Sequence, residues 1–361
     1  MERTKKKELL KIKKRIYNPN QKDIETYSAS HAFSCANFQT FLPELKNTDH
    51  TTKFRDVVYS QAKAKYERIN INLIDNLDFS DLSLLEEKSY IMCSFHYGSY
   101  KMLASSLIKL NKKFFVVVNN SISKKHREDS HKYFLKCKNR YNNTVLNNIP
   151  TLSVQDNGFI FQVEKLLKEG SIMLIFIDGN SGTDGIMEYK GKNMSKISFF
   201  NNDIYVKSGL PAIAYIFKVP ILPVIAYREN GIKIKSFDPI YPDLNISRKE
   251  FTSKTIQHLY DLLQKVIVKN PFEWEGWLYI HKWLDFEKLS NKEADKNQAS
   301  TLIFNSRKYV SFIIKEKNFI LDKDTHLSYE IGTNVQYAID GEIDNLTKEE
   351  LKMLIDKNIL I

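Results

Sequence analysis

The sequence predicts an α/β fold: a layered, mostly parallel central sheet flanked by helices, followed by a small C-terminal α+β module. Between residues 53 and 285, short apolar runs alternate with helical patterns. Each run is continuously apolar, which is typical of strands covered on both faces, and strand–helix alternation favours a parallel sheet. In such sheets functional side chains collect where strands end, so the residues after each run are the candidates.

The elements follow in order along the chain. The apolar runs that we interpret as strands cover residues 89–95, 113–118, 171–177 and 221–226. The helical patterns cover residues 99–110, 125–141, 156–169, 203–218 and 248–269. The segment 209–227 is almost long enough to cross a membrane, but Lys218 and three prolines divide it into a helix, a turn and a strand.

The chain divides into four parts on this pattern. They are an N-terminal basic helical extension over 1–52, an α/β domain over 53–285, a polar linker over 286–300 and a small module over 301–361. In the module, two β-rich runs flank Lys317 and Asn318 as a hairpin. Thr347 and Glu350 form the capping-box pattern that opens a last helix. A hairpin with helices is typical of winged-helix-like modules.

Basic residues outnumber acidic ones, 54 against 43 in 361 residues, and the net charge of +11 predicts an anionic partner. Much of this charge lies in residues 2–15, where Leu9, Ile12 and Ile16 form a narrow apolar stripe on a basic helix. Two interpretations stay open. The segment 2–16 lies on an anionic membrane surface, or its stripe packs against the body of the protein.

The three cysteines stand at unrelated spacings, which excludes a disulfide framework and a CxxC metal site. No metal site is expected elsewhere, since His126 and His131 lie on different faces of one helix. The cysteine usage favours a reducing compartment. We therefore expect a cytoplasmic protein, with peripheral contact at the inner face of the membrane as the alternative. Residues 301–361 are not strongly basic, so nucleic acid is not an expected partner.

Two strand ends carry groups suited to acid–base chemistry. His96 follows the first run, and Gly98 and Ser99 precede a helix whose amides near Gly98–Ser99 are suited to stabilising an oxyanion. Asp178 follows the run 171–177 and is a partner for His96 if the two strands are neighbours. The structural alternatives are a histidine bonded to a backbone carbonyl and an aspartate that closes a turn.

Four segments, SFHYGSYK, LLKEGSIMLIFIDGNSGTDG, ISFFNNDIYVKSGLPAIAYIFKVPILPVIAYR and NPFEWEGWLYIHKWL, carry a family resemblance. In this order they resemble the lipid A biosynthesis (lauroyl/myristoyl) acyltransferases of the lysophospholipid acyltransferase superfamily, over about residues 55–285. The resemblance implies acyl transfer from an acyl-carrier-protein or acyl-CoA thioester to a hydroxyl or amine, with no other cofactor. It assigns the general base to His96.

Two positions depart from the family pattern. The carboxylate that should orient the histidine is replaced by Lys101, whose charge is expected to lower the pKa of His96. Asn119 stands where the family usually has an arginine, for which Arg127 or Arg140 is a substitute. Asp178 is the candidate for the missing carboxylate. We expect the substrate-binding residues to be Gly98, Ser99, Lys101, Asn119, Arg140, Gly179, Asn180 and Arg228.

Three functional interpretations therefore stay open. The first is an acyltransferase with catalytic residues His96 and Asp178. The second is a catalytically altered scaffold that binds an acyl carrier or a peptide without acyl transfer. The third is a thioester or ester hydrolase that uses Ser99 or a water molecule. The module over 301–361 also resembles, in its hairpin-plus-helix pattern, the units that bind leader peptides in peptide-modifying enzymes, which implies a peptide or carrier-bound acceptor.

Overall fold

The computed structural model describes residues 2–85, 89–118, 124–147, 149–179, 194–285 and 302–361. The strands are β1 (Ile91–Ser94), β2 (Phe114–Val118), β3 (Thr151–Ser153), β4 (Ile172–Phe176), β5 (Met194–Phe199), β6 (Asn202–Lys207), β7 (Ile221–Arg228), β8 (Ile232–Ser236), β9 (Tyr309–Ile314), β10 (Lys317–Asp322) and β11 (Ser328–Ile331). The helices are α1 (Glu2–Tyr17), α2 (Gln21–Phe41), α3 (His50–Ile69), α4 (Asn72–Asp75), α5 (Leu103–Lys109), α6 (Lys124–Arg140), α7 (Phe159–Lys168), α8 (Gly209–Phe217), α9 (Arg248–Lys269), α10 (Thr333–Ile339) and α11 (Lys348–Asp356).

The central sheet has six strands in the order β3-β2-β4-β1-β7-β8. The first five are parallel and β8 is antiparallel to β7. Helices flank the sheet, so the predicted α/β class with a mostly parallel sheet is confirmed. In β1, Ile91 and Cys93 pack into the core on one face and Met92 into the core on the other. Burial on both faces explains why these strands read as continuous apolar runs.

One predicted helix is wrong over its first half. Residues 202–207 form β6, which pairs antiparallel with β5, and α8 begins only at Gly209. Ile204 and Val206 are buried two residues apart, which is the periodicity of a strand.

The turn of the C-terminal hairpin also lies earlier than expected. Lys315 and Glu316 take positive φ angles of 48° and 67° there, which is typical of a two-residue hairpin turn.

The second helix belongs to the body of the protein rather than to an extension. Phe38 and Phe41 of α2 lie in the main core, where both rings contact Trp277. The basic helix α1 contacts α3, and its stripe of Leu9, Ile12 and Ile16 is half-buried. This packing matches the second of the two interpretations of the stripe.

The C-terminal residues form a three-stranded antiparallel sheet, β11-β10-β9, with α10 and α11. The capping box of Thr347 and Glu350 opens α11 as predicted. Phe312 and Leu321 of this sheet pack against Ala32, Phe33 and Ala36 of α2. The proposed linker over 286–300 lies outside the described residues. Within the described ranges, every helix is too short or too polar to cross a bilayer.

Two histidines near the contact between α2 and the C-terminal sheet make stability depend on pH. Burial lowers the pKa of His50 to about 4 and that of His281 well below 6.5. The unfolded chain therefore binds protons that the folded chain excludes. This stability is fully present above pH 6.5 and is lost as the pH falls toward the folded pKa values.

We expect the free energy of unfolding to fall between pH 6.5 and pH 5, and His50→Gln to reduce that slope by about 1.4 kcal/mol per pH unit. Urea titrations at a series of pH values measure how the free energy of unfolding depends on pH. The exposed His258→Gln is the control and should keep the wild-type slope. Equal slopes in His50→Gln and the wild type would contradict the assignment.

Candidate active site

His96 and Asp178 meet because their strands are neighbours in the sheet. Ser94 at the end of β1 pairs with Phe176 at the end of β4, in parallel register. Each candidate lies two residues further along its strand, so both emerge at the carboxyl edge of the sheet. His96 Nδ1 lies 2.8 Å from Asp178 Oδ1. The pair expected from the sequence is therefore present.

Asp178 is fully buried, and three donors surround its carboxylate. The His96 backbone N–H lies 3.0 and 2.9 Å from its two oxygens, and the Trp274 indole N–H donates to Oδ2 at 2.8 Å. The third donor is the His96 ring. Because a carboxylate only accepts, Nδ1 of His96 carries the proton and Nε2 remains as an acceptor. Among the described residues, Nε2 has no hydrogen-bond partner.

The pKa of His96 is set by opposing effects. Burial lowers it, whereas the charge and hydrogen bond of Asp178 and the charge of Glu275 raise it. Lys101 lowers it, as expected from the sequence, but more weakly than the carboxylates raise it. The net result is a pKa above 6.5, so the expected net lowering is wrong. The buried Asp178 is the reason, since it supplies the negative charge missing at position 101.

A cavity of about 350 Å³ opens in front of His96. Its polar lining comes from Ser30, Gln61, Glu275 and the tyrosines Tyr27, Tyr100 and Tyr279, and its apolar lining from Phe54, Val58 and Leu278. Helices α2 and α3 thus supply one wall, and the Trp-rich segment supplies another. The resemblance covers only residues 55–285, so it did not predict the wall from α2. This helix reaches the site through tertiary packing.

Glu275 is the main site residue that the sequence did not reveal. It is 6% exposed, its N–H donates to the His96 carbonyl at 2.9 Å, and Gln61 donates to its Oε2 at 3.0 Å. The signal available in the sequence was an acidic residue inside an aromatic block. The adjacent Gly276 explains the local chain path, because a Cβ there would lie 2.0 Å from the Trp274 ring that reaches Asp178.

Arg228 is a positioning residue rather than a substrate-binding one. Its guanidinium donates to both oxygens of Glu67 at 2.6 and 2.9 Å and also forms an ion pair with Glu273. Further bonds reach Ser60 Oγ at 2.9 Å and the Gly98 carbonyl at 3.0 Å. These contacts with described residues occupy the guanidinium, so the prediction that Arg228 binds substrate is not met.

The backbone at Gly98 and Ser99 does not form the expected oxyanion site. Gly98 N–H donates to the Glu273 carbonyl and Ser99 N–H to the Ala226 carbonyl, each at 2.9 Å. Gly98 has a φ of 60°, and a Cβ there would lie 2.4 Å from the Ala226 oxygen, so the close approach requires glycine. Ser99 is fully buried, and its Oγ makes no hydrogen bond with His96 or any other described residue. His96 therefore does not activate Ser99 as a nucleophile in this arrangement.

The remaining predicted residues divide between the site and other places. Gly179 lies against the His96 ring, since a Cβ there would be 3.4 Å from Cε1. The Lys101 ammonium lies 4.6 Å from the centre of the Tyr100 ring, and burial lowers the pKa of Lys101 to about 8 although Glu275 opposes the change. Asn119, Asn180 and the Arg127 side chain lie outside the described residues.

Arg140 is not part of this site. It ends α6, which leads away from β2 toward the start of β3 and therefore carries Arg140 to the opposite edge of the sheet. There it forms an ion pair with Asp75 of α4. The prediction that Arg140 replaces the family's arginine is wrong for this reason.

Comparison with known proteins identifies no family. The chain matches no model of a known protein family, and no curated protein is significantly similar to it.

The arrangement at the sheet edge can abstract a proton at His96 Nε2, and the buried Asp178 can stabilise the imidazolium that results. The adjoining cavity of about 350 Å³ has room for a small ligand beside His96.

We expect Arg228→Met to lower the free energy of unfolding by about 3–5 kcal/mol, because the buried Glu67 and the half-buried Glu273 lose their shared counter-charge. Urea unfolding measures the loss. Arg140→Met is the matched control, since its ion pair with Asp75 is 41% and 40% exposed. It should cost less than about 1 kcal/mol. Equal losses in the two variants would contradict the positioning role of Arg228.

Proposed function

We propose that the protein is an acyltransferase of the lysophospholipid acyltransferase type. It moves an acyl group from an acyl-carrier-protein or acyl-CoA thioester to a hydroxyl or amine, with His96 as the general base. The observation that carries the proposal is the His96–Asp178 pair, with Nε2 directed toward the acceptor cavity. The four segments that resemble the lipid A acyltransferases support the same activity, and the positive net charge suits an anionic donor.

In the proposed reaction, His96 Nε2 takes a proton from the acceptor as the acceptor attacks the thioester carbonyl. A C–O or C–N bond forms, the C–S bond breaks, and the imidazolium returns the proton to the departing thiolate. Asp178 stabilises the imidazolium between these steps. It takes over the role that the resemblance assigns to the position of Lys101, because it reaches Nδ1 from the neighbouring strand.

The tyrosine hydroxyls in the cavity are the proposed donors to the oxyanion. Tyr100 and Tyr279 line the cavity, and the Gly98 and Ser99 amides already have partners. Burial raises the pKa of both tyrosines well above 10, and the negative charge of Glu275 adds to the effect at Tyr100 and that of Asp178 at Tyr279. Both hydroxyls therefore keep the proton that an oxyanion donor needs.

The second candidate is a scaffold that binds an acyl carrier or a peptide without transferring the acyl group. The lysine at position 101 favours this candidate, because it replaces the usual carboxylate. The C-terminal sheet is the proposed contact for a peptide or carrier-bound acceptor in either case. A binding scaffold has no need of proton transfer, so the two candidates differ in their dependence on His96.

We expect His96→Ala to lower consumption of the thioester donor by at least about 100-fold, because the general base is removed. Intact-mass detection with a panel of acyl-CoA and acyl-carrier donors measures turnover, and circular dichroism checks the fold. His258→Ala, on the exposed face of α9, is the control. If the wild type and His96→Ala both bind the thioester donor tightly and neither consumes it, the protein is a binding scaffold instead.

We expect Asp178→Asn and Lys101→Met to move the pH profile of turnover in opposite directions. Turnover needs neutral His96, so it falls as the pH drops through the pKa of that residue. Asp178→Asn removes a charge that raises this pKa, so the acid limb moves to lower pH and the plateau falls. Lys101→Met removes a charge that lowers it, so the limb moves to higher pH. Shifts in the same direction would contradict His96 as the titrating base.

A further inference from the structure

The cavity contains a carboxylate that its own surroundings do not satisfy. Glu275 is 6% exposed, and its Oε1 has no hydrogen-bond partner among the described residues. Gln61 donates only to Oε2. A buried carboxylate oxygen without a donor is costly, since the group loses its hydration and gains nothing in return. A positively charged ligand close to the Glu275 carboxylate would offset that cost.

The balance of charge around the cavity favours a cation. Three donors satisfy Asp178, whereas Glu275 has only neutral donors, Gln61 at Oε2 and the Tyr100 hydroxyl. Lys101 attracts Glu275 electrostatically but forms no ion pair with it within the described part of the chain. No lysine or arginine appears among the described residues that line the cavity. A phosphate or carboxylate would therefore meet the charge of Glu275 and no cation among those residues.

The walls of the cavity also suit an ammonium group. Three tyrosines and Phe54 line the same space as Glu275. The faces of aromatic rings attract cations, and the attraction is larger where water is excluded. The His96 ring lies on this wall too, 4.8 Å from the Tyr100 ring between centres. A group held beside the Glu275 carboxylate therefore shares one small cavity with the proposed base.

We propose that the cavity binds a primary amine as an ammonium, with the Glu275 carboxylate as its counter-ion, and that this amine is the acyl acceptor. The second half rests on the proposed function; the binding itself does not. The ammonium first gives one proton to His96 Nε2. The free amine attacks the thioester carbonyl, the C–N bond forms and the C–S bond breaks. His96 returns its proton to the thiolate, and a second proton leaves the nitrogen to water, so the products are an amide and a thiol.

The test compares n-pentylammonium with 1-pentanol at pH 7, by calorimetric titration of the full chain. We expect the wild type to bind pentylammonium more tightly than the alcohol of the same length. Glu275→Gln keeps the shape of the side chain and removes its charge. It should weaken pentylammonium binding by about tenfold to a hundredfold and leave pentanol unchanged. Glu229→Gln is the control, because Glu229 is 62% exposed on the surface, and it should bind as the wild type does.

Each outcome decides one of the two proposals. Equal binding of pentylammonium and pentanol by the wild type would overturn amine recognition, and this comparison needs no variant that could fail to fold. Loss of pentylammonium binding in Glu229→Gln as well as Glu275→Gln would also overturn it. Glu275-dependent binding without amide formation from any thioester donor would uphold the amine site and reject the amine as acyl acceptor, while His96-dependent consumption of the donor would still decide the proposed acyl transfer. Amide formation with a KM for pentylamine that rises in Glu275→Gln would support both.

Discussion

The buried carboxylate of Asp178 is the interaction on which the rest of the site depends. It is sealed from water at the end of β4, and donors from the neighbouring strand end and from the Trp-rich segment surround it. Because leaving a buried charge without hydrogen bonds is costly, these donors hold the three chain segments together. The same bonds fix the ring of His96, so the demand for a satisfied carboxylate also sets the direction of the base.

A second network holds the loop that carries His96 from the other side. Arg228 at the end of β7 joins Glu67 of α3, Glu273 and the Gly98 carbonyl. The segment around Trp274 pairs with Tyr97 in a short antiparallel bridge, which places Glu275 next to His96. Arg228 therefore supports this loop from a position that does not line the cavity, whereas Glu275 lies on the cavity wall.

Helix α2 connects the site with the C-terminal sheet. Tyr27 and Ser30 of this helix line the cavity, while Ala32, Phe33 and Ala36 pack against the sheet. Ser28 accepts a hydrogen bond from the Ile313 N–H at 2.9 Å, so the backbone of β9 is attached to the same helix. The module over 302–361 and one wall of the cavity are therefore both built on α2.

Local pattern alone determined four of the six strands of the central sheet, but not β3 or β8, and the two residues that follow β1 and β4. Continuous apolar runs mark β1, β2, β4 and β7, and His96 and Asp178 stand directly after two of these runs. Tertiary structure decided which strands are neighbours, and therefore that these two side chains meet. It also decided that Glu275 enters the cavity and that the Gly98 and Ser99 amides are already bonded. Those outcomes depend on partners 82 or more residues apart in the chain, and no local periodicity encodes which distant groups satisfy a buried charge.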